Sequence, residues 1–227
     1  AILVNSPSNP TGNLLDPERM KKIAGLGPMI ISDEIYHGLV YEGKEHSILE
    51  FTDNAVVLNG FSKRYAMTGW RIGYCILPEE MVRPLQKVQQ NFFISTGDFV
   101  QWAALAALEK AEPDVVRMRE IYDRRRKLLL AGVRELGLRV PVEPQGAFYV
   151  FADARAFGAD SRKLAFEILE RAHVGVTPGV DFGAAGEGWL RFCYAASEAS
   201  IERALERLSR VLPDASRGAG VCMFVAG

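Results

Sequence analysis

Residues 60–73 read Gly60-Phe61-Ser62-Lys63-Arg64-Tyr65-Ala66-Met67-Thr68-Gly69-Trp70-Arg71-Ile72-Gly73. They follow Ala55-Val56-Val57-Leu58-Asn59, an apolar run closing in Asn-Gly that reads as a buried strand running out into a turn. In open α/β sheets, chemistry collects at such strand ends. A single lysine or arginine is nearly always a solvated charge. Here, however, a lysine after a small residue is followed eight positions later by an arginine among glycines. That pairing suits an amine that bonds a carbonyl group beside a guanidinium that binds an anion.

Other strand-like runs end in polar residues of complementary chemistry. Ala1-Ile2-Leu3-Val4 leads to Asn9-Pro10-Thr11-Gly12, which alone is simply a good turn. Met29-Ile30-Ile31-Ser32 leads to Asp33-Glu34-Ile35-Tyr36, which in isolation reads as a strand capped by solvated acids. Arg191 lies within Trp189-Leu190-Arg191-Phe192-Cys193-Tyr194, which alone reads as a charge on an amphipathic strand, a reading its apolar neighbours weaken. Two further segments stand out, Pro144-Gln145-Gly146-Ala147-Phe148-Tyr149 and Val176-Thr177-Pro178-Gly179-Val180-Asp181-Phe182-Gly183.

Residues 60–73 resemble the lysine-attachment signature of class I and II aminotransferases, within the fold-type-I pyridoxal-phosphate enzymes. The other segments resemble that family's landmarks in the same order: its NPTG turn at Asn9–Gly12, its DE-x-Y element at Asp33–Tyr36 and its substrate arginine at Arg191. The resemblance implies pyridoxal 5'-phosphate held by Lys63 as an aldimine, with Asn9 and Tyr36 on the ring oxygen, Asp33 on the pyridine nitrogen, and Ser62 and Arg71 on the phosphate. An ionised Asp33 would keep the ring nitrogen protonated, so that the ring draws electrons from the substrate's Cα. Lys63, Asp33 and Tyr36 are the implied catalytic residues. Arg191 would clamp the α-carboxylate of an amino acid or a 2-oxo acid, the two implied substrates, and the segments at 144–149 and 176–183 would shape the substrate pocket. Glu34 reads as structural. A homodimer is implied as well. One departure falls inside the signature: many relatives carry serine three positions before the lysine, where this chain has Gly60, and Ser62 or backbone amides would have to serve the phosphate instead. A related lyase or synthase, the aminotransferase-like domain of a transcriptional regulator, and an inactive truncated fragment are the alternatives.

The composition suits an ordinary globular protein: 227 residues, 48% apolar and 24% charged, with a formal net charge of −1. Such a balance suggests neither a nucleic-acid nor a membrane-surface partner. Cys75, Cys193 and Cys222 have no disulfide-like spacing, and with His37, His46 and His173 they form no ligand cluster, so a cytoplasmic setting without a metal is expected. No stretch reaches the ~20 apolar residues of a membrane span. Ala1 opens an apparent strand directly before a cofactor-type motif, so the chain reads as the C-terminal portion of such an enzyme.

The expected class is α/β, a partial large domain with a mixed, mostly parallel sheet and helices, followed by an α+β small domain. Residues 1–97 read as the C-terminal part of the large domain, 98–136 as linking helices, 137–212 as the small domain and 213–227 as a tail. Helices are expected from Asp16-Pro17 to Gly25, from Glu79 to Phe93, from Pro113 to Leu136, from Ser161 to Ala172 and from Ser197 to Leu212. Asp98 to Ala111, apolar and alanine-rich, suggests a buried helix, and Arg124-Arg125-Arg126-Lys127 a solvated helix face. In the small domain, strands are expected at Ala147–Phe151, His173–Val176 and Trp189–Tyr194.

Overall fold

The computed structural model describes residues 1–212; the expected tail and Cys222 lie outside the described residues. The chain forms two compact units. Of the described residues, the first comprises Ala1–Ile121 with Gln145–Ala147, and the second Tyr122–Pro144 with 148–212.

In the first unit, strand β1 (Ile2–Asn5) is followed by helix α1 (Pro17–Ala24) and strand β2 (Ile30–Asp33). Asp16 caps α1 by accepting from Arg19 N at 2.8 Å, and Pro17 gives up no hydrogen bond because the first helical N–H has no partner in the helix. Strands β3 (Ala55–Gly60) and β4 (Gly73–Ile76) complete a four-stranded sheet of order β1-β2-β3-β4, with the first three strands parallel and β4 antiparallel to β3. Met20 of α1 packs with Ile30, Ile48, Ala55 and Val57, all buried, and Val4, Leu15 and Ile23 close the cluster. Burying one such aliphatic side chain contributes about 1.5–3 kcal/mol.

Helices α2 (Glu79–Phe93) and α3 (Asp98–Lys110) follow, then the long α4 (Glu112–Glu135). The reading of α3 as buried is corrected. It packs through small residues, Ala104 and Ala107, against Phe61 and Met67, while Phe99 and Trp102 on its other faces are 72% and 71% exposed. A helix apolar all round has no face its sequence can single out, so the alanine stripe rather than the bulky residues decides which side goes inward.

The second unit contains the end of α4, strand β5 (Tyr149–Asp153), helix α5 (Ser161–Ala172), the short strand β6 (Thr177–Pro178), strand β7 (Trp189–Cys193) and helix α6 (Glu198–Val211). The three strands form an antiparallel sheet of order β5-β7-β6. Asp160 and Ser197 cap α5 and α6 through Lys163 N and Ser200 N. Gly132 of α4 lies directly under Leu205 of α6, where a Cβ would come within 2.3 Å of the leucine's methyl group.

Three further expectations shift. The strand expected at His173–Val176 lies at Thr177–Pro178, because His173 takes a left-handed conformation (φ 54°) and ends α5. The strand expected from Ala147 starts at Tyr149, since Ala147 also has positive φ (58°) and donates to Leu39 O in the first unit. Arg126, expected on a solvated face, is 2% exposed; its guanidinium donates to Asp123 Oδ1 and to Pro144 O, both at 2.8 Å. A run of four basic residues on a helix cannot all point one way, and the turn geometry carries this one inward.

Candidate active site

The parallel strands deliver three of the expected residues to the same end of the sheet. Asn9 follows the C-terminal end of β1, Asp33 closes β2, and Lys63 follows β3 by three residues. In register, Asn5 faces Asp33, and Asp33 faces Leu58. Crevices outside the carboxyl ends of parallel strands are where open α/β sheets bind ligands.

Each strand end is tied down locally. Asp33 Oδ1 accepts from Ile35 N at 3.1 Å, which turns the chain so that Tyr36, 4% exposed, comes next to the strand end in sequence. Glu34, 3% exposed, is fully engaged on one oxygen: Oε1 accepts from Ser32 Oγ at 3.0 Å, Ser47 Oγ at 3.1 Å and Ile48 N at 2.9 Å. His37 Nδ1 lies 3.4 Å from its other oxygen. These contacts give Glu34 a structural part, anchoring the Asp33–Tyr36 turn to the 47–48 segment.

Beyond β3 the backbone winds tightly. Tyr65 N and Met67 N both donate to Phe61 O, and Ala66 N donates to Lys63 O. Lys63 and Ser62 are half-buried in this winding. The neighbouring Arg64 lays its aliphatic stem across Gly38 (φ 87°), where a Cβ would meet Arg64 Cδ at 2.8 Å, and its guanidinium bonds Glu112 at 2.8 Å. Arg71 is exposed, adopts a left-handed conformation (φ 54°) and donates to Thr68 O at 2.8 Å.

Gly60, where many aminotransferases resembling this signature carry serine, is explained by packing. A Cβ there would stand 2.9 Å from Gly73 Cα and 3.1 Å from Ile72 O, across the β3–β4 pair.

Residues that sequence reasoning singled out only as a segment, or missed, hold the asparagine turn. Gln145 N and Gly146 N both donate to Gly12 O at 2.8 Å, Gln145 Oε1 accepts from Leu14 N, and Tyr41 N donates to Gln145 O. Gly146 has no room for a side chain, since a Cβ would lie 2.8 Å from Pro7 Cγ and 2.9 Å from Leu39 O. Asn5, unremarked in the sequence, bonds the backbone of both Asn9 and Asp33. Only its place at a strand end could have pointed to it.

In the second unit, Arg191 on β7 is half-buried and pre-oriented. Its guanidinium stands 4.2 Å from the Tyr149 ring centroid and 5.0 Å from that of Phe182, and Nη2 donates to Thr177 Oγ1 at 3.1 Å. Thr177 and Phe182 belong to the singled-out 176–183 segment. A guanidinium held between aromatic faces loses little freedom when it binds a carboxylate. Among the described residues there is no grouping of three or more His, Cys, Asp or Glu suited to a metal, and no helix is long and apolar enough to cross a membrane.

This arrangement is that of an α/β fold with a lysine, an acid and an amide at the carboxyl ends of parallel strands. The chain belongs to the family of class I and II aminotransferases, whose pattern it matches over residues 1–208. It is 46% identical over 216 residues to a (5-formylfuran-3-yl)methyl phosphate transaminase of Methanocaldococcus jannaschii, covering 93% of this chain and 57% of that protein. To an aspartate/prephenate aminotransferase of Thermus thermophilus it is 42% identical, covering 93% and 56%. A crystal structure of Thermus thermophilus aspartate aminotransferase with maleate superposes with a TM-score of 0.88, at 42% identity, over 92% of this chain and 56% of that one. The chain therefore spans a little over half the length of the relatives it matches.

Proposed function

We propose that this chain carries the lysine end of the active site of a pyridoxal-phosphate-dependent aminotransferase that moves an amino group between an L-amino acid and a 2-oxo acid. The observation that carries the reading is the delivery of Asp33 at, and of Asn9 and Lys63 beyond, the carboxyl ends of three adjacent parallel strands. The donor set fits the group: an amide and a phenol for a ring oxygen, a carboxylate for a ring nitrogen, a primary amine for an aldehyde, and a hydroxyl with a guanidinium for a phosphate.

When bound, pyridoxal phosphate supplies a carbonyl for the substrate amine and a ring that withdraws electrons from the substrate's Cα. Asp33 holds a proton on the ring nitrogen. Asn9 and Tyr36 orient the ring through its oxygen. Ser62 and Arg71 hold the phosphate, with backbone amides in place of the side chain that Gly60 lacks. Lys63 would hold the group through its primary amine, and as a free amine it would be the base for the proton on the substrate's Cα. Arg191, held by Tyr149, Phe182 and Thr177, takes the α-carboxylate. The relatives bear names for aspartate, aromatic amino acids and a furan phosphate, so the proposal extends to the amino acid and 2-oxo acid pair and no further. A homodimer is part of it, supported by the exposed apolar residues Phe92, Phe93, Phe99 and Trp102.

The test is borohydride reduction of the complete gene product with pyridoxal phosphate, followed by peptide mass mapping. A reduced adduct on Lys63, together with exchange of amino groups between amino and oxo acids, is expected. An adduct elsewhere, or none, overturns the reading.

A further inference from the structure

Asn5 is the last residue of β1 and the register partner of Asp33 on β2. Its side-chain amide makes two bonds of opposite sense. Nδ2 donates to Asp33 O at 2.9 Å, and Oδ1 accepts from Asn9 N at 2.7 Å. The orientation of the amide follows from its partners, since a carbonyl can only accept and a backbone N–H only donate. The Ser6 N–H also donates to Asp33 O, at 3.2 Å, so the carbonyl at the end of β2 is fixed from two directions.

We infer that Asn5 is a positioning residue that sets Asn9 and Asp33 relative to each other. The inference rests on the proposed cofactor site, in which Asn9 contacts the ring oxygen and Asp33 the ring nitrogen. These two atoms belong to one rigid ring, so the two protein groups must keep a fixed separation. The strand pairing fixes only the backbone of residue 33 against that of residue 5. Asn9 is four residues further on, in a turn beyond the end of β1. Asn5 spans that gap with a single planar group. Alanine has neither function, and aspartate keeps the acceptor but loses the donor. Aspartate would also add a negative charge one strand spacing, about 4.8 Å, from the backbone of Asp33. Glutamine has both functions on a stem one methylene too long.

The test uses the complete gene product and the variants Asn5→Ala, Asn5→Asp and Asn9→Ala, with the double variant Asn5→Ala/Asn9→Ala. In the cofactor-free protein, Asn5→Ala should speed amide hydrogen exchange at Asn9 and in the 33–36 turn, with the helices unchanged. Unaltered exchange there overturns the inference whether or not cofactor binds. In the loaded protein, Asn5→Ala should lower kcat by about 10- to 100-fold with a smaller change in KM. It should also raise the pH midpoint at which the bound cofactor's absorbance titrates, because a misdirected Asn9 no longer favours the anionic ring oxygen. Added to Asn9→Ala, it should change that midpoint little, since the two act through one contact. Fully additive shifts, or a loss of thermal stability with an unmoved midpoint, reduce Asn5 to a purely structural role and overturn the inference. Absence of any cofactor absorbance in the unmodified protein would instead refute the proposed function, and the exchange measurement would still decide the part played by Asn5.

Discussion

Gly60 and Gly73 face each other as register partners across the antiparallel β3–β4 pair, so close that a Cβ on Gly60 would reach within 2.9 Å of Gly73 Cα. A Cβ on Gly73 would come equally near Asn59 O, at 2.9 Å. The glycine three residues before Lys63 is thus a requirement of strand packing in this chain, and the mutual approach of the two backbones excludes a side chain at either position.

Gly60→Ser, which restores the residue many relatives carry, is therefore expected to destabilise the protein by about 1–3 kcal/mol through overpacking. Urea unfolding of the variant and the unmodified protein measures the difference. A neutral or stabilising result would mean that the strands separate without cost.

Arg126 supplies a second prediction. Arg126→Met leaves Pro144 O without its buried donor and removes one of the two basic partners of Asp123, the other being Lys127, and a loss of about 1–3 kcal/mol is expected. Arg126→Lys should recover little of this, because one ammonium cannot reproduce the fork that reaches both acceptors. Equal stability of the lysine variant and the unmodified protein, by thermal or urea unfolding, would contradict the assignment.

How much of this could be read beforehand depends on the kind of signal. β3 announces itself through an apolar run ending in Asn-Gly, and α2 through Pro78 with Glu79 and Glu80 at its positive end, because these are local preferences of backbone and dipole. The strands before Asn9, Asp33 and Lys63 were legible because each is a short apolar run stopped by polar or turn residues, whereas the parts assigned to those three residues came from the family resemblance. The inward turn of Arg126 was not, since its reason is a carbonyl at Pro144, 18 residues away. Nor was the outward face of α3, whose packing partners Phe61 and Met67 lie far back in the chain. Asn5 escaped notice because a lone asparagine at a strand end carries no pattern, and its significance exists only once β1 and β2 are paired.

Glu34 provides a third prediction, which separates a structural acid from a catalytic one. Glu34→Ala would strand the hydroxyls of Ser32 and Ser47 and the N–H of Ile48 without their shared acceptor, at a cost of about 1–3 kcal/mol. Glu34→Gln keeps an acceptor oxygen and should lose less. A glutamine variant as unstable as the alanine variant would show that the negative charge, rather than the hydrogen bonds, holds the segment.

The proposed chemistry makes the fourth prediction. Lys63→Ala should abolish turnover, since general base catalysis alone typically contributes about 10²–10⁴-fold in rate and the anchor is lost with it. Asp33→Ala should cut the rate severely while some cofactor remains bound. Steady-state transamination by the first variant, or a near-normal rate in the second, would remove that residue from its proposed role.

The last prediction concerns acid stability and follows from Asp153 at the end of β5. Hydrogen bonds from the Arg155 side chain, at 2.9 and 2.6 Å, hold its carboxyl below the usual carboxylate range; burial opposes them, while the Arg155 N–H and the charges of Arg155 and Arg139 add to the lowering. A carboxyl whose pKa is depressed in the folded state binds protons more readily when unfolded, so stability must fall as protons are added. Its contribution is complete above the ordinary aspartate pKa of about 3.9 and is lost as the pH drops through the lower folded value. Asp123 acts in the same sense: burial pushes its carboxyl up, but hydrogen bonds from Lys127 and Arg126 outweigh that and leave it lowered. Melting temperature followed from neutral to strongly acid pH should therefore decline below about pH 4. Asp153→Asn should be less stable at neutral pH yet show a shallower acid decline, because the residue that gains the proton is gone. A variant with an unchanged acid slope would place the proton uptake elsewhere.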